Sequence, residues 1–152
     1  MKIGISKPET CHLTHMCSKA YSSRVSWAIL LHPEVADWVD SLGEADYQQV
    51  LAVLDALAVD GPALGRPFVD TIKGSRYPNM KELRPRGGAL RMLFAFDPER
   101  QAVVLVAGDK SNRWTQWYRE NVPIADDRFE AHGQTLSAGS KAGRKSGRSR
   151  KR

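Results

Sequence analysis

The chain has 152 residues, 41% hydrophobic and 26% charged, which suits one cored domain and excludes a disordered chain or two independently cored halves. No apolar run approaches the ~20 residues of a membrane span, two cysteines exclude a disulfide scaffold, and Met1 to Val25 lacks the apolar centre of a secretory signal, so the expected address is the cytoplasm. The net charge of +6 is concentrated late: seven Lys and Arg and no acid lie from Gly139 onward, and the rest of the chain stands at −1.

Residues 1–23 are polar and irregular and read as an extension. Cys11, His12, His15 and Cys17 crowd there, but structural zinc draws ligand pairs from two separated segments, so no metal or cofactor is expected. Val25 to Leu31 is an apolar, β-favouring run ended by His32-Pro33. Val35, Trp38, Val39 and Leu42 then repeat at helical spacing to Gly43. A second helix from Glu44 carries Tyr47, Val50, Leu51, Leu54, Leu57 and Ala58 on one stripe and stops at Gly61-Pro62. This predicts an antiparallel helical hairpin. Its outer face is acidic, because residues 33–60 contain seven acids and no Lys or Arg.

Gly61 to Arg76 reads as a loop anchored by Phe68 and Ile72. Met80–Arg84, Leu90–Phe96 and Ala102–Ala107 read as three strands joined by short turns. Arg113–Arg119 and Ile124–His132 read as short helices broken at Asn121-Val122-Pro123. The predicted order is β-α-α-β-β-β-α: an α+β domain with the helices packed on one face of an antiparallel-rich sheet. Residues 24–133 form the domain, and 134–152 a basic, disordered tail.

No phosphate-binding glycine loop, dinucleotide fingerprint, metalloprotease helix or nucleophile elbow is present, and the histidines are scattered. What remains is basic and aromatic. Residues 66–119 hold eleven Lys and Arg against five acids, giving a surface that attracts phosphate. Arg91 interrupts an apolar strand and must reach solvent, an acid or a ligand, since an isolated buried guanidinium is very costly. Either it pairs with Glu82 and braces the sheet, or it forms an anion cradle with Arg84 in which Glu82 accepts a proton. The segment GDKSNRWTQWY then sets Lys110 and Arg113 before Trp114, Trp117 and Tyr118, cations beside stacking aromatics as in single-strand RNA binding. Aromatics at this spacing also form core stripes, so at least one tryptophan is expected inside.

KELRP at Lys81–Pro85, GALRMLFAF at Gly88–Phe96 and VVLVAGDKSNR at Val103–Arg113, following a helical hairpin, resemble the RelE superfamily of type II toxins, in its HigB-like, phage Gp49-like branch. The resemblance spans about 110 residues from Trp27 to His132. It implies a ribosome-dependent mRNA endoribonuclease that inhibits translation, cutting without a metal by attack of the 2′-OH on the adjacent phosphate. It also implies a cognate antitoxin, commonly a helix-turn-helix DNA-binding protein, besides ribosome and mRNA as partners. Arg91 matches the family's phosphate-facing arginine, Arg84 a basic position of the preceding strand, Lys110 or Arg113 the basic turn, and Tyr118 the following aromatic hydroxyl. Met80 and Glu82 stand where some members carry lysines, and Glu82 is a candidate base. Arg91, Glu82, Lys110 and Tyr118 are thus the expected catalytic set, with Lys81, Arg84, Arg113 and Trp117 binding RNA. The alternative is a non-catalytic RNA- or partner-binding protein of the same fold.

Overall fold

A five-stranded sheet organises the chain in the computed structural model, which describes residues 27–145. The elements are β1 (Ala28–Leu31), α1 (Pro33–Asp40), α2 (Glu44–Asp60), a 3-10 turn (Gly61–Ala63), β2 (Val69–Thr71), β3 (Lys81–Leu83), β4 (Leu90–Phe96), β5 (Gln101–Asp109) and α3 (Trp114–Lys145). The strands lie in the order β1-β5-β4-β3-β2, with β1 parallel to β5 and all other pairs antiparallel. Among the described residues no helix is long and apolar enough to cross a membrane.

Local chemistry sets the helix ends. The His32 ring caps α1 by accepting from the Glu34 amide at 3.3 Å, and Pro33 supplies a fixed φ in the first turn. α2 stops at Gly61, whose φ of 54° suits glycine; any Cβ there would collide with the Trp27 indole. Val35 and Val39 of α1 and Val50, Val53, Leu54, Leu57 and Ala58 of α2 are buried. The two helices close one face of the sheet over Val69, Leu83, Leu90, Met92, Phe94 and Val104.

Four sequence expectations need correction. The stretch read as a loop contains β2, an edge strand whose Val69 and Thr71 pair with Leu83 and Lys81. The two short helices are one, running unbroken through Pro123. Proline there removes an N–H donor, but Trp117, Val122 and Ala125 on either side bury against the same core, and tertiary packing overrides local preference. That core lies on the other face of the sheet, so the helices cover both faces, with only the hairpin on the first. Finally, α3 continues to Lys145, so residues 134–145 of the segment expected to be a disordered tail are helical. The N-terminal extension with its Cys-His cluster and the end of the tail lie outside the described residues.

Candidate active site

The site is built on the α3 face by strand parity and one irregularity. Met80, Glu82 and Arg84 alternate with Lys81 and Leu83, so Glu82 points to the α3 face while Leu83 joins the α1–α2 core. Arg91, Leu93 and Ala95 share that face on β4. In β5 the register slips: Leu93 pairs with Val106 but Phe94 with Val104, leaving Leu105 as an inserted residue. Leu105 and Val106 therefore both face α3. The insertion reverses the alternation beyond it, bringing Gly108 beneath Trp117 and Lys110 beside Arg91 rather than to the opposite face.

Tyr118 lies at the centre of the resulting cluster. Its hydroxyl donates to Glu82 Oε2 at 2.5 Å and lies 3.3 Å from Lys110 Nζ. Arg84 Nε donates to Glu82 Oε1 at 2.6 Å, so both oxygens of this 2%-exposed carboxylate are engaged. Arg84 also reaches Asp70 Oδ2 at 3.0 Å. Arg91 turns its Nη1 to the carbonyls of Gly88 (3.0 Å) and Leu90 (2.6 Å), while its Nε is buried with no hydrogen-bond partner. Lys110 is 1% exposed, with its Nζ 3.1 Å from the centroid of the Trp114 ring.

These surroundings retune both titrating groups. Burial, reinforced by repulsion from Arg91 and Arg84 against the attraction of Glu82, lowers Lys110 to about 8. Burial and the hydrogen bond to Glu82 raise Tyr118 to about 12, against a lowering pull from Arg91. A lysine able to shed its proton near neutrality thus touches a phenol that holds its own.

Of the eight expected site residues, the fold gathers Arg91, Glu82, Lys110, Tyr118 and Arg84. Of the two alternatives for Arg91, the ion pair with Glu82 is not among those of the described residues; Glu82 is held by Arg84 instead. Arg84, clasped between Glu82 and Asp70, braces the site and is not a free cation. Lys81 points to the other face, its Nζ 3.4 Å from Thr71 Oγ1, and stands apart from the cluster. Trp117 is 8% exposed and packs as core, so it offers RNA no open ring. Arg113 is exposed just before α3 and joins none of the ion pairs among the described residues. Asp70 escapes the sequence reading, and Trp114 figures there only as one of the aromatics after the basic turn, outside the expected site set. Asp70 sits in the unrecognised β2, and Trp114 differs from Trp117 only in which side of α3 meets the sheet. Among the described residues no three His, Cys, Asp or Glu side chains converge to hold a metal ion.

Residues 37–130 match the model of the phage derived protein Gp49-like family (DUF891). The chain belongs to this family. Among curated relatives of this Gp49-like protein, one described as toxin HigB3, from Mycobacterium tuberculosis, is 48% identical over 103 residues, covering 68% of this chain and 90% of the relative. Another, described as toxin HigB2 from the same organism, is 50% identical over 101 residues, covering 64% of this chain and 50% of the relative. The HigB3 relative places the Gp49-like chain among the HigB-like proteins. The isolated E. coli RelE toxin is 14% identical, with 61% of this chain and 96% of that chain covered and a TM-score of 0.47.

Proposed function

We propose that the protein is the toxin of a type II toxin–antitoxin pair and acts as a ribosome-dependent mRNA endoribonuclease by a metal-independent route. The observation carrying this reading is the contiguous chain Lys110–Tyr118–Glu82 beside the incompletely satisfied guanidinium of Arg91. In the proposed reaction neutral Lys110 takes the proton of the ribose 2′-OH, and the 2′-oxygen attacks the adjacent phosphorus. Arg91 stabilises the charge of the phosphorane. Tyr118 gives its proton to the departing 5′-oxygen as the P–O5′ bond breaks, leaving a 2′,3′-cyclic phosphate and a 5′-hydroxyl. Lys110 returns the captured proton to the Tyr118 oxygen, and the enzyme is restored. Glu82, buried with both oxygens occupied, is a positioning residue that aims Tyr118 and Arg84, rather than the base. The HigB relatives support the toxin assignment, and with it a cognate antitoxin, of helix-turn-helix type in this reading.

Purified protein with programmed ribosomes provides the test. Primer extension is expected to show cuts within the mRNA. Arg91→Ala is expected to lower the rate ~10²–10³-fold, the effect of losing one transition-state donor, while the variant stays folded. Expression is expected to arrest growth, with relief on co-expression of the adjacent reading frame. Growth arrest with intact ribosome-bound mRNA overturns the nuclease reading in favour of a non-catalytic binder.

A further inference from the structure

Trp114 is the most exposed large apolar side chain among the described residues, at 62%, although it directly adjoins the site. It is the first residue of α3, and neither apolar core includes it. Its recorded partner is the Lys110 ammonium, on one face of the indole. One turn later Trp117 buries over Gly108, so the helix spends one tryptophan on packing and leaves the other at the surface. Contact with Lys110 holds the exposed ring in a defined place. Arg113, also exposed, is adjacent.

We propose that Trp114 is a nucleobase-binding residue, and that its indole exchanges the Lys110 ammonium for an RNA base flanking the scissile phosphate. The exchange is chemically balanced. Cation–π contact and base–aromatic stacking have overlapping strengths, so neither locks the ring against the other. As the indole turns to the base, Lys110 loses its cover on the side from which a substrate arrives. Arg113 then lies where the phosphate of the next nucleotide can be met. Stacking accepts any base, which gives affinity without strict sequence choice.

This inference rests on the nuclease reading but is tested without cleavage. The probe is a fluorescein-labelled single-stranded decamer with 2′-deoxy sugars, which lacks the attacking hydroxyl, and the same decamer with abasic sites; binding is read by anisotropy. Wild-type protein is expected to bind the intact strand about 5- to 150-fold more tightly than the abasic one. Trp114→Ala is expected to erase that difference and Trp114→Phe to keep part of it. A change in charge at Lys110 alone weakens both strands alike, so it cannot mimic this result. If wild type and Trp114→Ala bind the intact strand equally, or wild type makes no distinction between strands or binds neither, the base-binding role is overturned. Cleavage of ribosome-bound mRNA by the wild type then reports separately on the nuclease reading.

Discussion

The two faces of the sheet are closed by helices in different ways. Under α1 and α2 the buried core is wholly apolar, from Val35 through Leu57 to Val104. Among the described residues, all four buried polar or charged ones, Glu82, Asp97, Lys110 and Asp126, belong to α3 or are bonded to it. Asp126 holds the 72–79 loop by accepting from Ser75 Oγ and the Arg76 amide at 2.9 Å, and Asp97 meets His132 Nε2 at 2.8 Å. One helical layer supplies cohesion by burying apolar area. The other is fastened by directional bonds along its length, and those bonds fix where Tyr118 stands. Placing a proton-transfer group requires the second kind of interface, because apolar contact does not specify orientation.

The comparison is broken most severely on the apolar side. Leu57→Ala, at a fully buried position, is expected to cost ~2–5 kcal/mol of stability by denaturant unfolding. Cleavage per folded molecule is expected to be unchanged. On the α3 side, Tyr118→Phe is expected to register in both assays. It leaves Glu82 Oε2 without its donor, an expected cost of ~1–3 kcal/mol, and it removes the proposed proton donor. A stability loss with full activity would show that the hydroxyl only braces the helix.

The smallest effect is a pH dependence. With Lys110 active in its neutral form and titrating at about 8, cleavage is expected to rise about fivefold from pH 7 to 8 and to flatten above pH 9. Its folded-state value lies below the ordinary lysine value of 10.5. The unfolded chain therefore binds more protons between pH 8 and about 10.5, and this group makes stability rise with pH across that window. Lys110→Met is expected to remove that contribution, as thermal melts at pH 8 and 10 would show.

The hairpin was legible because its apolar residues repeat at a period of 3.6, and β1, β4 and β5 because they are apolar, β-favouring runs between turn signals. β2 was not: Val69–Thr71 is three residues long and gains its identity only by pairing with β3. The continuity of α3 was hidden because Pro123 is a local breaker signal, while the core contacts that override it are not local. Within the site, residue types were readable and orientations were not. Arg91 stood out as a charge in an apolar strand, yet the partner of Glu82 depended on Arg84 lying on the same side of its strand. The side of the sheet reached by Lys110 depended on Leu105, an inserted residue with no mark in an apolar run. Which of Trp114 and Trp117 packs inside was hidden for a similar reason, since both fit an amphipathic helix and only the docking angle separates them.

The parallel pairing of β1 with β5 has a consequence for the order of synthesis. Ala28 pairs with Gln101 and Leu31 with Val104, partners more than seventy positions apart. On a growing chain the first strand emerges early and has no neighbour until β5 follows it, a long-range closure that is slow by its topology. Glu82, Arg91 and Lys110 are likewise made before Tyr118, which joins them only once α3 has docked. Whatever the finished cluster does, the unfinished chain lacks the residue that links its parts.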